Sequence, residues 1–93
     1  MAHTRMYTLT CNPDWPEIKS ALRERGLEPS QYMHAPDIVV RAFLARLKIF
    51  LSDILNNSAL GRVVAFWGAH EYTSTMLPHF HLIVTHHTGV TRV

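Results

Sequence analysis

The clearest pattern in the chain is an apolar stripe between residues 36 and 57, where hydrophobic residues recur at spacings of three and four. Side chains at that spacing share one side of a helix with 3.6 residues per turn, so the stripe predicts an amphipathic helix over residues 36–57. Its members are Val39, Val40, Phe43, Leu47, Phe50, Leu51 and Ile54. We expect this side of the helix to pack against the core.

Three other segments have the composition of β-strands. Residues 6–11, 62–72 and 78–85 are rich in β-branched and aromatic side chains. Asn12 and Pro13 end the first segment as a turn, and Pro78 opens the last, where a missing amide hydrogen is tolerated. Gly68, inside the second segment, is a candidate position for a β-bulge.

A second, shorter helix is predicted within residues 13–26. Pro16 suits the first helical position, and Gly26 suits the left-handed residue that follows a helix. Residues 27–35 contain no sustained periodicity, so we expect a loop there. The inner side of the short helix would carry Ile18, Ala21 and Leu22.

The order of these elements, β-α-α-β-β, predicts an α+β fold in one domain over residues 1–93. A chain of 93 residues can hold one modest core. We expect an antiparallel sheet with the helices packed on one face.

Composition supports a folded domain and excludes several classes. Apolar residues make up 47% of the chain and charged residues 17%, which is unlike a disordered segment. The net charge of +2 comes from scattered basic residues, so it permits a phosphate-bearing partner without requiring one. The single cysteine excludes an internal disulfide and fits a reducing, intracellular compartment, and from the apolar pattern we expect neither a signal peptide nor a membrane span.

A candidate metal site lies in the last predicted strand. His79 and His81 are two residues apart, so in a strand their side chains share a face. Glu71 ends the preceding strand, and a hairpin would bring its carboxylate beside them. Two imidazoles and a carboxylate suit Mg²⁺ or Mn²⁺ as much as Zn²⁺ when a substrate adds phosphate oxygens. His-x-His by itself is also common as the polar face of a strand, so the spacing leaves an incidental interpretation open.

Three segments of the chain resemble the replication-initiator domain of Helitron transposases, in order and at matching spacing. Residues 7–18 (YTLTCNPDWPEI) are similar to its opening motif, and residues 36–48 (PDIVVRAFLARLK) to its central helix. Residues 61–84 (GRVVAFWGAHEYTSTMLPHFHLIV) are similar to its His-hydrophobic-His region. Such domains belong to the HUH endonucleases, which nick and join single-stranded DNA.

The resemblance implies a ferredoxin-like HUH nuclease core, here incomplete, and a nuclear protein that acts on single-stranded DNA. It makes His79 and His81 the metal ligands, with Glu71 at the place of a third ligand. In the family, a divalent ion activates the scissile phosphate and a tyrosine attacks it to form a 5′-phosphotyrosine link.

Two departures from the family pattern bear on activity. The family's tyrosine pair lies on a helix downstream of the histidines, whereas Tyr7, Tyr32 and Tyr72 all precede His79. Residues 73–76 (TSTM) replace a basic and glycine pair. We therefore expect a fragment or degenerate copy that cannot form the covalent intermediate. The alternatives are a non-catalytic module that binds DNA or protein, and a decayed fragment.

Other residues carry weaker hypotheses. Thr10, Asn12 and Arg41 are candidate DNA contacts, with turn chemistry for Asn12 and a solvated helix face for Arg41 as the alternatives. His86 and His87 are expected to be solvated, and His70 to face away from Glu71. Packing is the expected role of Trp15 and Cys11.

Overall fold

The computed structural model describes residues 2–56, 62–72 and 77–87. The predicted break after the long helix and the TSTM connection fall mainly on residues 57–61 and 73–76, outside the described residues. In chain order the elements are β1 (Ala2–Thr10), α1 (Pro16–Glu24), a 3₁₀ helix (Pro29–His34), α2 (Pro36–Leu55), β2 (Arg62–Tyr72) and β3 (Pro78–His87).

The three strands form one antiparallel sheet in the order β1-β3-β2. β3 is therefore the central strand, with its hairpin partner β2 on one side and β1 on the other. The structure confirms the α+β class and the antiparallel sheet.

Side chains alternate along β3 between a covered and an uncovered face. Pro78, Phe80, Leu82, Val84 and His86 are all buried, whereas the residues between them are partly or largely exposed. The buried apolar residues of β3 share one core with the helices, which places the helical layer on their side of the sheet. We call that side the helix face and the opposite side the open face. The helices and the turn residues contribute Cys11, Ile18, Leu22, Ala35, Ile38, Val39, Phe43 and Leu47 to the core.

α1 begins and ends where the sequence predicts. Pro16 occupies its first turn, and its inner side buries Ile18 and Leu22. Gly26 has φ 77°, a conformation that L side chains rarely adopt, and the amide of Leu27 returns to the carbonyl of Leu22 at 2.8 Å. The glycine therefore stops α1 and turns the chain toward the 3₁₀ helix.

Two ion pairs join α1 to α2. The two terminal nitrogens of the Arg25 guanidinium, Nη1 and Nη2, donate to the two carboxylate oxygens of Asp37, each at 2.8 Å. Arg46 donates to Glu17 at 2.6 and 2.9 Å, and its guanidinium carbon lies 4.2 Å from the centre of the Trp15 ring. Arg46 is thus a structural contact rather than part of a simply solvated face.

The structure corrects the expected loop over residues 27–35. Pro29–His34 forms a 3₁₀ helix whose start is capped, because the amide of Glu28 donates to Gln31 Oε1 at 2.7 Å. Six residues are too few to produce a readable periodicity.

β1 and β3 are longer than their predicted segments. β1 begins at Ala2 and β3 continues to His87, and these two residues pair with each other. The backbone amide and carbonyl groups of each extension find their hydrogen-bond partners in the other extension. Composition alone does not reveal this pairing.

The bulge in β2 is not at Gly68. The irregularity lies between Val63 and Ala65, whereas Gly68 pairs regularly with Leu82. Gly68 has a packing role, because a Cβ there would approach ring carbon Cε2 of Phe80 to 2.9 Å. The absent side chain lets the Phe80 ring lie against the backbone of β2.

Candidate functional site

The candidate metal ligands lie on the open face, in two adjacent rows that cross the sheet. In the first row His79 pairs with Thr10 of β1 and Glu71 of β2. In the second, His81 pairs with Thr8 and Ala69. The strand register thus brings both histidines and Glu71 to one surface.

A threonine of β1 holds each imidazole at its Nδ1. The distances are 3.1 Å from Thr10 Oγ1 to His79 Nδ1 and 3.2 Å from Thr8 Oγ1 to His81 Nδ1. When Nδ1 of His79 carries the proton, it donates to the hydroxyl oxygen and leaves Nε2 bare. In His81 a bare Nε2 requires Glu71 to move, because the Nε2 hydrogen donates to Glu71 Oε2 at 2.7 Å. Metal-ligating histidines are oriented in this way by partners beyond the ligand set.

Sequence reasoning missed Thr8, and it assigned Thr10 to DNA rather than to His79. Both hydroxyls follow from period-two alternation in β1 once its register against β3 is known. The register was the missing information.

Glu71 reaches His81 across the sheet rather than its direct neighbour His79. Glu71 Oε2 lies 2.7 Å from His81 Nε2. The two side chains are 60% and 33% exposed, so the pair contributes little to stability. What the pair does is position the Glu71 carboxylate beside His81 Nε2, the nitrogen that would ligate an ion.

The two imidazoles do not converge in this structure. Their rings are nearly parallel, at an interplanar angle of 10° with centroids 6.3 Å apart. Nitrogens that share one ion lie no more than about 4 Å apart, twice a bond of ~2.1 Å. Accordingly, the described residues contain no group of three or more His, Cys, Asp or Glu side chains placed to hold a metal. The donors fit a divalent ion in kind and share a face, but ligation requires rotation of at least one ring.

Of the other predicted DNA contacts, Asn12 lies just beyond the end of β1 and Arg41 lies in the helical layer. Asn12 makes a turn, since its Oδ1 accepts from the amide of Asp14 at 2.9 Å. Arg41 lines a groove between α1 and α2 in the helical layer, so the sheet separates it from His79 and His81.

His86 is the clearest error among the predicted positions. It was expected to be solvated, but β3 continues through it and its side chain is fully buried on the helix face. Its Nε2 lies 3.2 Å from the Tyr7 hydroxyl, and its Nδ1 has no hydrogen-bond partner among the described residues. The ring of His3 is 5.9 Å away. His87, the next residue, is partly exposed on the open face.

His70 and Cys11 occupy the positions expected of them. His70 lies on the helix face, with its ring centroid 5.0 Å from that of Phe80, and so faces away from Glu71. Cys11 is buried, and desolvation raises the pKa of its thiol to about 11 although the charge of Arg46 opposes the shift. A thiol with that pKa is protonated at neutral pH, which suits packing and not nucleophilic attack. Trp15 packs against the core as predicted.

None of the described tyrosines lies on the open face. Tyr7 pairs with Leu82, and Tyr72 with Pro78, which puts both on the helix face. Tyr32 belongs to the 3₁₀ helix and packs against the core.

The whole unit from β1 to β3 corresponds to a known family. The profile of the Helitron helicase-like domain at N-terminus matches residues 5–84. The chain belongs to this family. The match confirms the predicted resemblance and includes both histidines and Glu71 of this Helitron helicase-like domain. No curated protein and no solved structure matches the chain. Neither described α-helix of the Helitron helicase-like domain combines the length and the apolar character that crossing a bilayer requires.

Proposed function

We propose that this Helitron helicase-like domain binds a divalent ion and single-stranded DNA on its open face, as the metal-binding half of an HUH nicking and joining site. The observation that supports the proposal is the cluster of His79, His81 and Glu71 on one uncovered surface of the central strands. Within that proposal, the three-stranded sheet and its helices correspond to part of a ferredoxin-like HUH core. A nuclear location stays a prediction.

Each side chain has a defined part in this proposal. His79 and His81 would ligate through Nε2 once at least one ring has turned toward the other, with Thr10 and Thr8 accepting from Nδ1 and so favouring the ligating tautomer. Glu71 would supply an oxygen next to His81. Mg²⁺ or Mn²⁺ is the expected ion, with Zn²⁺ as the alternative, and when bound it would polarise the scissile phosphodiester.

The covalent step needs a nucleophile on the same surface. Because Tyr7, Tyr32 and Tyr72 lie elsewhere, we propose that the 93-residue chain does not itself form a phosphotyrosine link. Binding and orientation of the phosphate would then be its contribution.

Metal binding is tested by calorimetry with Mn²⁺. The parent chain should bind, and His81→Ala should lose binding. Thr8→Val should bind roughly 10-fold more weakly, since orienting partners contribute about 10- to 100-fold to metal affinity. Thr4→Val is the matched control, because the Thr4 hydroxyl lies on the same face and hydrogen-bonds to Thr85 Oγ1, at 3.0 Å, rather than to a histidine. Equal binding by the parent and His81→Ala would overturn the ligand assignment.

The proposed lack of covalent chemistry has its own test. The chain is incubated with labelled single-stranded DNA and Mn²⁺ and then run on a denaturing gel. We expect no protein-linked label. A metal-dependent covalent product would show that one of the tyrosines reaches the site.

A further inference from the structure

An exposed apolar row crosses the open face directly beside the histidine rows. Met6 of β1, Ile83 of β3 and Trp67 of β2 pair with one another in register. They are 68%, 38% and 62% exposed, respectively. Exposed apolar side chains that lie together on one surface, unlike scattered ones, are candidates for a binding site.

The position of this row relates it to the proposed phosphate site. The row is two residues from His81 along β3, which is about 7 Å at a strand rise of ~3.3 Å per residue. That distance is comparable with the step between successive nucleotides of an extended single strand. A strand whose phosphate lies beside His81 would therefore bring a neighbouring base over the apolar row.

The chemistry of the open face favours a base there and a phosphate farther along. The rows from Thr10 to Thr4 contain histidine, threonine and apolar side chains and one acidic residue, with neither Lys nor Arg. Beyond them, the register pairs Arg62 with His87 at the far end of the face. The order along β3 is the proposed metal cluster, the apolar row, a row of Thr4, Thr85 and Ala65, and then Arg62. A strand that crosses this face would meet an apolar surface between a metal site and a cation.

We infer that Trp67, supported by Met6 and Ile83, is a stacking platform for a base of single-stranded DNA next to the nicking site. This inference rests on the proposed function. Indole has the largest aromatic surface available to a protein, and stacking on it tolerates any base. Trp67 would therefore hold the strand in place without selecting its sequence.

The test uses the full chain with Trp15→Phe, which leaves Trp67 as the single indole. Binding of a 12-nucleotide oligothymidylate in Mn²⁺ should quench its emission. Measured by anisotropy of the labelled oligonucleotide, Trp67→Ala should weaken binding about 5- to 150-fold, since stacking contributes ~1–3 kcal/mol per base. An oligonucleotide of equal length without bases should bind both forms equally.

The matched control is Phe66→Ala. Phe66 is also 62% exposed and adjacent in β2, but it pairs with Val84 and so lies on the helix face. It should leave DNA affinity unchanged. If Trp67→Ala and Phe66→Ala have equal effects, or if the emission of Trp67 does not respond to saturating oligonucleotide, the stacking platform is wrong and an apolar protein surface becomes the occupant.

Failure of this inference is distinguishable from failure of the proposed function. If Trp67→Ala leaves DNA affinity unchanged while binding still depends on the metal, only the platform is overturned. Trp67→Ala could also weaken binding of oligonucleotides that contain bases, while neither His81→Ala nor removal of Mn²⁺ changes that effect. This result would support the platform and overturn the metal site.

Discussion

Tyr7 and His86 form a polar contact within an otherwise apolar sheet face. Burial of an imidazole is unfavourable unless its nitrogens find partners, and Tyr7 partners only one of them. The cost of removing one group from such a pair exceeds the cost of removing both, because the group left behind stays buried and unpaired.

We therefore predict that Tyr7→Phe lowers the free energy of unfolding by ~1–3 kcal/mol. The double variant Tyr7→Phe with His86→Leu should lose less than the single variant. Urea unfolding followed by circular dichroism measures both. Tyr72→Phe is the control, since Tyr72 is 59% exposed, and it should change stability by less than ~0.5 kcal/mol. Equal losses in the single and double variants would contradict the proposed pairing.

At the level of single residues, alternation within a strand could be predicted, but the partners across strands could not. His79 and His81 were placed on one face from their spacing, and the structure agrees. Thr8 was missed and His86 was misplaced because both depend on where β1 and β3 begin and end. Strand ends are set by pairing with a distant segment, and residues 2–10 contact residues 79–87.

The absence of a side chain at Gly68 determines how β2 packs against Phe80 of β3. The Phe80 ring of β3 packs directly on the backbone of β2, in the space that a side chain at Gly68 would fill. We predict that Gly68→Ala lowers the free energy of unfolding by ~1–3 kcal/mol through overpacking. Equilibrium unfolding in urea is the measurement.

A second substitution tests whether overpacking against Phe80 causes the loss of stability in Gly68→Ala. Phe80→Leu in the Gly68→Ala background makes room for the new methyl group, so the double loss should be smaller than the sum of the two single losses. Gly26→Ala is the control: it is unfavourable because of its positive φ, with open space around it, and Phe80→Leu should not relieve it. Additive effects of Gly68→Ala and Phe80→Leu would rule out the steric explanation.

At the level of elements, periodicity predicted the long α-helix, helix-boundary residues predicted the short one, and composition predicted all three strands. α2 and β2 were closest to the prediction, because a long amphipathic stripe and a long β-branched run are strong signals. The 3₁₀ helix and the bulge at Val63 and Ala65 were not predictable, since each involves few residues and depends on packing against neighbours. The shared surface of Glu71 with the histidines followed from the hairpin, while its contact with His81 needed side-chain geometry.

For the molecule as a whole, the helical layer is joined by exposed ion pairs whose strength depends on pH. Hydrogen bonds from Arg25 lower the pKa of Asp37 from 3.8 to about 2, and Arg46 lowers the pKa of Glu17. A carboxyl group whose pKa is lowered by folding stabilises the protein above its unfolded pKa, and that contribution disappears as pH falls toward its folded pKa.

We predict that the urea midpoint of the parent chain falls as pH is lowered from about 4 to 2, the interval between the ordinary and the lowered pKa of Asp37. Asp37→Asn should reduce this fall. Asp53→Asn, which removes a carboxylate farther along α2, is the control and should keep the parent profile. High salt should weaken the effect because both groups are exposed. An identical acid profile for the parent and Asp37→Asn would contradict the assignment.

Along β3, the even-numbered residues from Pro78 to His86 form the core, and the odd-numbered residues from His79 to His87 form the open face. Stability and chemistry are thus assigned to alternate residues of a single strand. Selection can change the surface at odd positions with little loss of folding, and a copy that loses its chemistry can remain folded. The fold can therefore stay intact while the side chains at the odd-numbered positions, and whatever they bind, change.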